Sequence, residues 1–107
     1  MSAEALKGHL DLLLLTVLTG RPAHGYAVIE QLRERSGGTF DLSEGTIYPA
    51  LHRLEGAKYV TSEWDRDGRR PRRIYRVTHT GAKALADMRD NYFTFSDGVR
   101  AVLGVTL

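Results

Sequence analysis

The 107-residue sequence has no cysteine, one tryptophan and three prolines. Without cysteine there is no disulfide to staple the fold and no thiolate to hold zinc or an iron–sulfur cluster. His9, His24, His52 and His79 are scattered without the spacing of a metal site, so neither metal nor cofactor is expected. The apolar run from Leu10 to Leu18 is interrupted by Asp11 and Thr16 and falls far short of the roughly 20 residues of a membrane span. The N-terminus lacks the basic, apolar, then small-residue pattern of a signal peptide, so a cytoplasmic chain with no membrane partner is expected. Catalytic signals are missing too. Gly37-Gly38 is too short for a phosphate loop and is not followed by the lysine such a loop needs. An enzyme is not expected.

The composition present is that of one folded domain, 42% apolar and 26% charged, long enough for a small core of its own. Net charge is only +2, but it is unevenly placed. Arg66, Arg69, Arg70, Arg72, Arg73 and Arg76 face only Asp67 in their segment, a local +5 against −3 for the rest of the chain. A basic segment on a mildly acidic body is a footprint for a polyanion.

The stretch from Ser43 to Glu55 organises the reading. Ile47, Ala50, Leu51 and Leu54 fall on one helical face directed at a core. Gly45, Thr46, Pro49, His52 and Arg53 occupy the opposite face, with Tyr48 on the flank and acids only at the two ends. That face is short, acid-poor and rich in donors, as a helix in a nucleic-acid groove must be; an ordinary surface helix is the alternative on this stretch alone. Ser43 suits an N-cap, and Pro49 requires either a bent first part or a helix beginning at Thr46.

Before it, residues 6–19 read as a first helix. Leu6, Leu10, Leu13, Leu14, Val17 and Leu18 form one stripe that Leu12 and Leu15 widen beyond a single face, so a partner chain is a plausible cover. Gly20 and Pro22 end it, Gly20 as a C-terminal cap. His24 to Arg35 is a second helix with Tyr26, Ile29 and Leu32 in the core, and Phe40 and Leu42 anchor the link that follows Gly37-Gly38.

After it, Tyr59 to Trp64 reads as a strand with Trp64 in the core, a ligand-stacking role being the alternative. Asp67-Gly68 signals a hairpin turn, and Arg73 to Val77 is the returning strand. Thr78 caps a last helix from about His79 to Leu103, in which Leu85, Met88, Tyr92, Phe95, Val99 and Val102 recur as a heptad seam. About 25 residues at 1.5 Å each make a rod of about 37 Å, more than a domain of this size can cover. A homodimer sealed by this seam, with Leu6, Leu10 and Leu13, is expected. Lys83 and Asp87 are expected to pair on the outside, and Phe93 to fill the gap to the body. The fold class is therefore mainly α with a small β-hairpin: a winged helix-turn-helix in residues 1–77, and a long C-terminal dimerisation helix in residues 78–107 that packs on the first helix.

Three patches resemble the PadR-type transcriptional regulators: Ala23-His24-Gly25-Tyr26, then Gly45 to Leu51 with Arg53-Leu54-Glu55, and Gly68-Arg69-Arg70 through Tyr75-Arg76-Val77-Thr78 to Gly81. The single C-terminal helix is similar to that of the short subfamily. The resemblance implies a homodimeric repressor on an inverted-repeat operator, released by a ligand. It implies that Tyr48 contacts a phosphate and that Tyr92 takes the place of an aromatic that stacks on planar compounds at the dimer seam. The family example has tryptophan there.

The expected partners are thus double-stranded DNA, a second copy and a small aromatic effector. The DNA-binding set is Ser43, Thr46, Tyr48, Pro49, His52, Arg53, Arg66, Arg69, Arg70, Arg72 and Arg73, with Arg69, Arg70 and Arg72 best placed at the tip. Tyr92, Phe95 and Trp64 are the ligand set. The rival reading is a winged helix used for protein–protein contact, without an inducer; it would favour an acidic or apolar outer face on the third helix, and this face is not acidic.

Overall fold

The computed structural model describes Leu6 and residues 8–105. The parts of the first-helix and domain expectations that fall on residues 1–5, 7 and 106–107 lie outside the described residues.

In chain order the elements are α1 (Leu10–Gly20), β1 (Ala23–His24), α2 (Gly25–Arg35), α3 (Glu44–Gly56), β2 (Val60–Asp65), β3 (Arg72–Val77) and α4 (His79–Leu103). The first helix starts at Leu10 rather than Leu6, because Gly8 takes a left-handed φ of +90° that no helix continues through. Leu6 still reaches the core and is buried there. Gly20 is the last helical residue, not a cap beyond it. Arg21 turns extended immediately so that the chain can enter a strand.

That strand is the main departure from the expected architecture. Ala23 and His24 pair antiparallel with Tyr75 and Ile74, which makes a three-stranded sheet of order β1-β3-β2 instead of a two-stranded hairpin. The hairpin register runs from Val60 opposite Val77 to Asp65 opposite Arg72. A central strand paired on both sides holds its neighbours more firmly than an isolated ribbon, which is marginal in water.

The core joins Leu14, Leu15 and Leu18 of α1, Val28, Ile29 and Leu32 of α2, and Ile47, Leu51 and Leu54 of α3 over Val60 and Tyr75 of the sheet. Tyr26 is not part of it; the side chain is 53% exposed. Val28 sits at the centre of the buried face, and a residue two positions away lies about 200° round the helix. Trp64 is likewise outside, 52% exposed on β2. In a sheet with one face on the core, alternation puts Val60 inward and leaves the residue four further on where the sheet has run past the helices. Leu42 is buried and Phe40 packs against the core, as expected.

α3 runs unbroken from Glu44, so Pro49 lies in its second turn and neither delays nor ends the helix. The ring is exposed, and the only loss is one donor to the carbonyl of Gly45. The helix closes with the Tyr59 amide on the Leu54 carbonyl at 3.0 Å and Lys58 in the left-handed region at φ +67°.

α4 has the expected bounds. Thr78 caps it, its Oγ1 accepting the Gly81 amide at 2.9 Å while donating to the Lys58 carbonyl at 2.7 Å. Gly81 is forced here: a Cβ would overlap the backbone carbonyl of Tyr59. The first turns of α4 pack on α1 through Leu85 and Met88. Beyond them the helix leaves the body, and the molecule measures 52 Å in its longest dimension against 28 and 21 Å in the others. Phe93 does not fill a gap to the body; it is 53% exposed and lies beside Tyr92 and Arg89. Among the described residues no ion pair joins Lys83 to Asp87, whose side chains are both free to stay hydrated.

Two substitutions test this frame by thermal unfolding. Gly81→Ala is expected to cost about 1–3 kcal/mol, since the clash is with backbone and not a movable side chain. Lys58→Gly is expected to stabilise by about 1 kcal/mol through relief of the left-handed strain; an unchanged melting temperature in either variant contradicts the corresponding geometry.

Candidate nucleic-acid interface

The buried face of α3 orients the other one. With Ile47, Ala50, Leu51 and Leu54 against the core, Pro49 and His52 stand exposed and Thr46 is half-buried. Ser43 precedes the helix as N-cap with its Oγ 3.3 Å from Thr46 Oγ1, so the two hydroxyls share the helix start, where free amides favour an anion. Tyr48 lies on the flank with its ring across Gly25; a Cβ at Gly25 would come within 2.6 Å of the ring carbons. Glycine at 25 is therefore a close-approach position between α2 and α3.

Arg53 is held elsewhere. Both of its terminal nitrogens, Nη1 at 3.0 Å and Nη2 at 2.9 Å, donate to Oδ1 of Asp11 on α1. Its charge is partly answered within the chain, and no spacing rule links residues 11 and 53.

The loop of residues 66–71 is exposed throughout. Arg69, Arg70 and Arg72 line a shallow hollow on it. Among the described residues no acid lies within ion-pair distance of Arg66, Arg69, Arg70 or Arg72. The other two arginines of the segment point along the sheet. Arg73 donates from Nε to Ser62 Oγ at 2.8 Å and covers the Trp64 ring at 5.0 Å, while Ser62 donates to Glu55 at 2.7 Å. Arg76 pairs with Glu63 at 3.3 Å. The basic run thus divides into a free tip and a stem that fastens the hairpin to itself and to the end of α3.

The root of the loop is organised by Asp65. Its Oδ1 accepts the Asp67 amide at 3.1 Å, and its Oδ2 lies 3.1 Å from Nε2 of His24 on β1. The Asp67 amide first, then the His24 contact and the nearby Arg72 charge, hold the Asp65 carboxyl below the usual range against the opposing effect of partial burial. At Tyr75 burial has the same sign and prevails, pushing the phenol above its ordinary value. Neither Asp11 nor Asp65 was read from the sequence as a site residue.

The residues expected at a dimer seam divide along α4. Leu6 and Leu85 are buried within the chain, and Leu10, Leu13 and Met88 pack against its core. Tyr92, Phe95, Val99 and Val102 are exposed, from 38% at Tyr92 to 89% at Val102. Tyr92 and Phe95 meet around His9, with ring centroids 5.6 and 6.4 Å from it, over a hollow of about 210 Å³ that Gly8, Leu12, Met88 and Asn91 complete. Trp64 does not line that hollow; it belongs to the sheet.

A three-helix core with a basic hairpin beside an acid-poor third helix defines the winged-helix class of transcription regulators. A family model for "Transcriptional regulator PadR-like family" matches residues 14–87, and the chain belongs to that family. It is a family of regulators, not of enzymes. A PadR family transcriptional regulator from Eggerthella lenta is similar at 33% identity and a TM-score of 0.84, covering 96% of this chain and 88% of that one. A transcriptional regulator from Clostridium thermocellum shares the fold at 23% identity and a TM-score of 0.85, over 94% of this chain and 96% of that one. A transcriptional regulator of Mycobacterium tuberculosis is 41% identical over 66 residues, 62% of this chain and 59% of that protein. The chain spans between 44% and 80% of the length of the curated relatives it matches. Among the described residues no helix is long and apolar enough to cross a membrane and no cluster of metal-ligating side chains occurs.

The lowered Asp65 carboxyl gives a signed prediction. A group with a depressed folded-state pKa stabilises the fold above its unfolded value, and this is lost as pH falls through the folded value. Wild-type protein is therefore expected to lose more stability between about pH 5 and pH 2 than Asp65→Asn, measured by thermal unfolding across that range. Parallel curves for the two proteins contradict the assignment.

Proposed function

We propose that this chain binds double-stranded DNA as a homodimer and represses transcription from an inverted-repeat operator. Two observations carry the reading: α3 has an exposed, acid-poor face, and the hairpin whose strand β2 packs against α3 ends in arginines that have no acid partner among the described residues. Thr46, Pro49 and His52 meet base edges in the major groove, where short donors and apolar contacts discriminate bases. Ser43 and Tyr48 take phosphate at the start and flank of the helix. Arg66, Arg69, Arg70 and Arg72 take the adjacent backbone. Arg53 and Arg73 serve chiefly as internal fastenings.

Residues 1–77 form the reading head and residues 78–107 the arm, joined into one unit by α1 packing on α4. The uncovered half of α4 supports the dimer, because a seam of Tyr92, Phe95, Val99 and Val102 exposed to water is covered by a second copy of itself. Two heads about 34 Å apart then face successive turns of one duplex side. The hollow at Tyr92, Phe95 and His9 suits a planar aromatic effector that would shift the spacing of the heads. Trp64 is not assigned to it.

Fluorescence anisotropy with operator selected from random duplexes tests the reading. Arg69→Ala with Arg70→Ala is expected to weaken binding on every sequence and to reduce the salt slope by about 0.9 per lost phosphate contact. Thr46→Ala and His52→Ala are expected to cost about 1–3 kcal/mol on the operator and little on mixed DNA. Val99→Glu is expected to give a monomer in sedimentation. Unchanged binding in the helix and wing variants overturns the interface; a dimeric Val99→Glu overturns the seam.

A further inference from the structure

His24 occupies an unusual junction. It is the second and last residue of β1 and, at φ −74° and ψ 158°, the N-cap of α2. Its side chain accepts no capping hydrogen bond from the helix amides; its ring reaches Asp65 instead. In the register of the sheet His24 lies opposite Ile74 on the central strand, and Ile74 lies opposite Glu63 on the far strand. Asp65 is two residues beyond Glu63 toward the hairpin tip, on the same face. The bond from His24 Nε2 to Asp65 Oδ2 therefore crosses the central strand and ties the two edge strands together at the root of the wing.

Both partners are largely shielded, with side chains 19% and 22% exposed. The carboxylate is used twice, with one oxygen on His24 and the other on the Asp67 amide that starts the loop. On the other side of His24 comes Gly25, on which the ring of Tyr48 from α3 rests. A continuous series of contacts thus runs from the third helix through Tyr48, Gly25, His24 and Asp65 to Asp67 and the arginine tip.

The tip needs such a fixture. Arg66, Arg69, Arg70 and Arg72 carry like charges on a loop with no core beneath it, and their repulsion favours splaying. Main-chain pairing of β2 with β3 sets the hairpin's own shape but not its angle to the third helix.

We propose that His24 and Asp65 form a positioning clamp that sets the wing against α3, so that tip arginines and groove face meet one stretch of duplex in register. The proposal rests on the DNA-binding reading above. Neither residue contacts DNA; both act through the arginines.

The test compares His24→Ala, His24→Gln, which keeps a donor, and the same His24→Ala change placed on the Arg69→Ala/Arg70→Ala background. The readouts are operator affinity and its salt dependence. His24→Ala is expected to weaken binding about tenfold and to reduce the salt slope by about 1 to 2, one or two phosphate contacts' worth. His24→Gln is expected to recover most of both. Without Arg69 and Arg70, His24→Ala is expected to have a clearly smaller further effect, because two of the four arginines through which it acts are gone. A clamp that is only structural gives the opposite pattern: an unchanged slope, and an equal loss with or without the arginines. That result overturns the proposal.

A DNA-independent measurement keeps the two readings apart. Hydrogen exchange on the free protein is expected to show the Asp67 amide exchanging about tenfold faster in His24→Ala, with core amides of α2 unchanged. If no duplex is bound at all, the DNA-binding reading falls while faster Asp67 exchange still upholds the clamp's mechanical part. Unchanged Asp67 exchange overturns the clamp whatever the protein binds.

Discussion

The burial of Tyr75 in the middle of the sheet is the constraint on which the molecule turns. It is the largest of the fully buried side chains, and its strand is paired on both sides, to Ala23 and to Ser62. The three-helix body packs over it. Burial disfavours the ionised phenol, so the residue behaves as a large apolar anchor with one polar atom. Because the central strand is anchored in this way, every element attached to it has a fixed address. β1 is fixed at the start of α2, β2 at the end of α3, and the hairpin tip beyond the edge of the core.

Electrostatics follows that address. The arginines nearest the core are consumed by Ser62, the Trp64 face and Glu63, and Arg53 by Asp11 across the helices. Those at the tip are left with water. Exposed pairs of this kind contribute little to stability, so their significance lies in where they leave net charge. In the proposed complex that charge falls on phosphates beside the groove helix.

Much of this architecture was legible in the residues. The stripe of Ile47, Ala50, Leu51 and Leu54 located α3 and its outer face, and Thr78 marked the start of α4. β1 was not legible, because two residues cannot display a period and Ala23-His24 carries no strand propensity. Tyr26 was read inward from its spacing to Ile29 and Leu32, and Trp64 from its place on an apolar strand; a buried face centred on Val28 and the overhang of the sheet put them outside. The clustering of arginines was plain in one dimension. Their division into tip and stem was not, since it depends on which strand faces carry Ser62, Glu63 and Trp64. Contacts such as Arg53 with Asp11 and His24 with Asp65 join residues about 40 apart, and no local pattern announces them.

The long helix gives the proposed account its reach. In the proposed dimer a second copy covers the part of α4 that the domain leaves bare, and a two-fold axis converts one reading surface into two with a spacing set by the rods. Hydroxyl-radical footprinting on selected duplex DNA measures that spacing directly. The account predicts two equivalent protected segments on one face of the duplex, centred about one helical turn apart. A single protected segment, or uniform cleavage along a bound duplex, would contradict it.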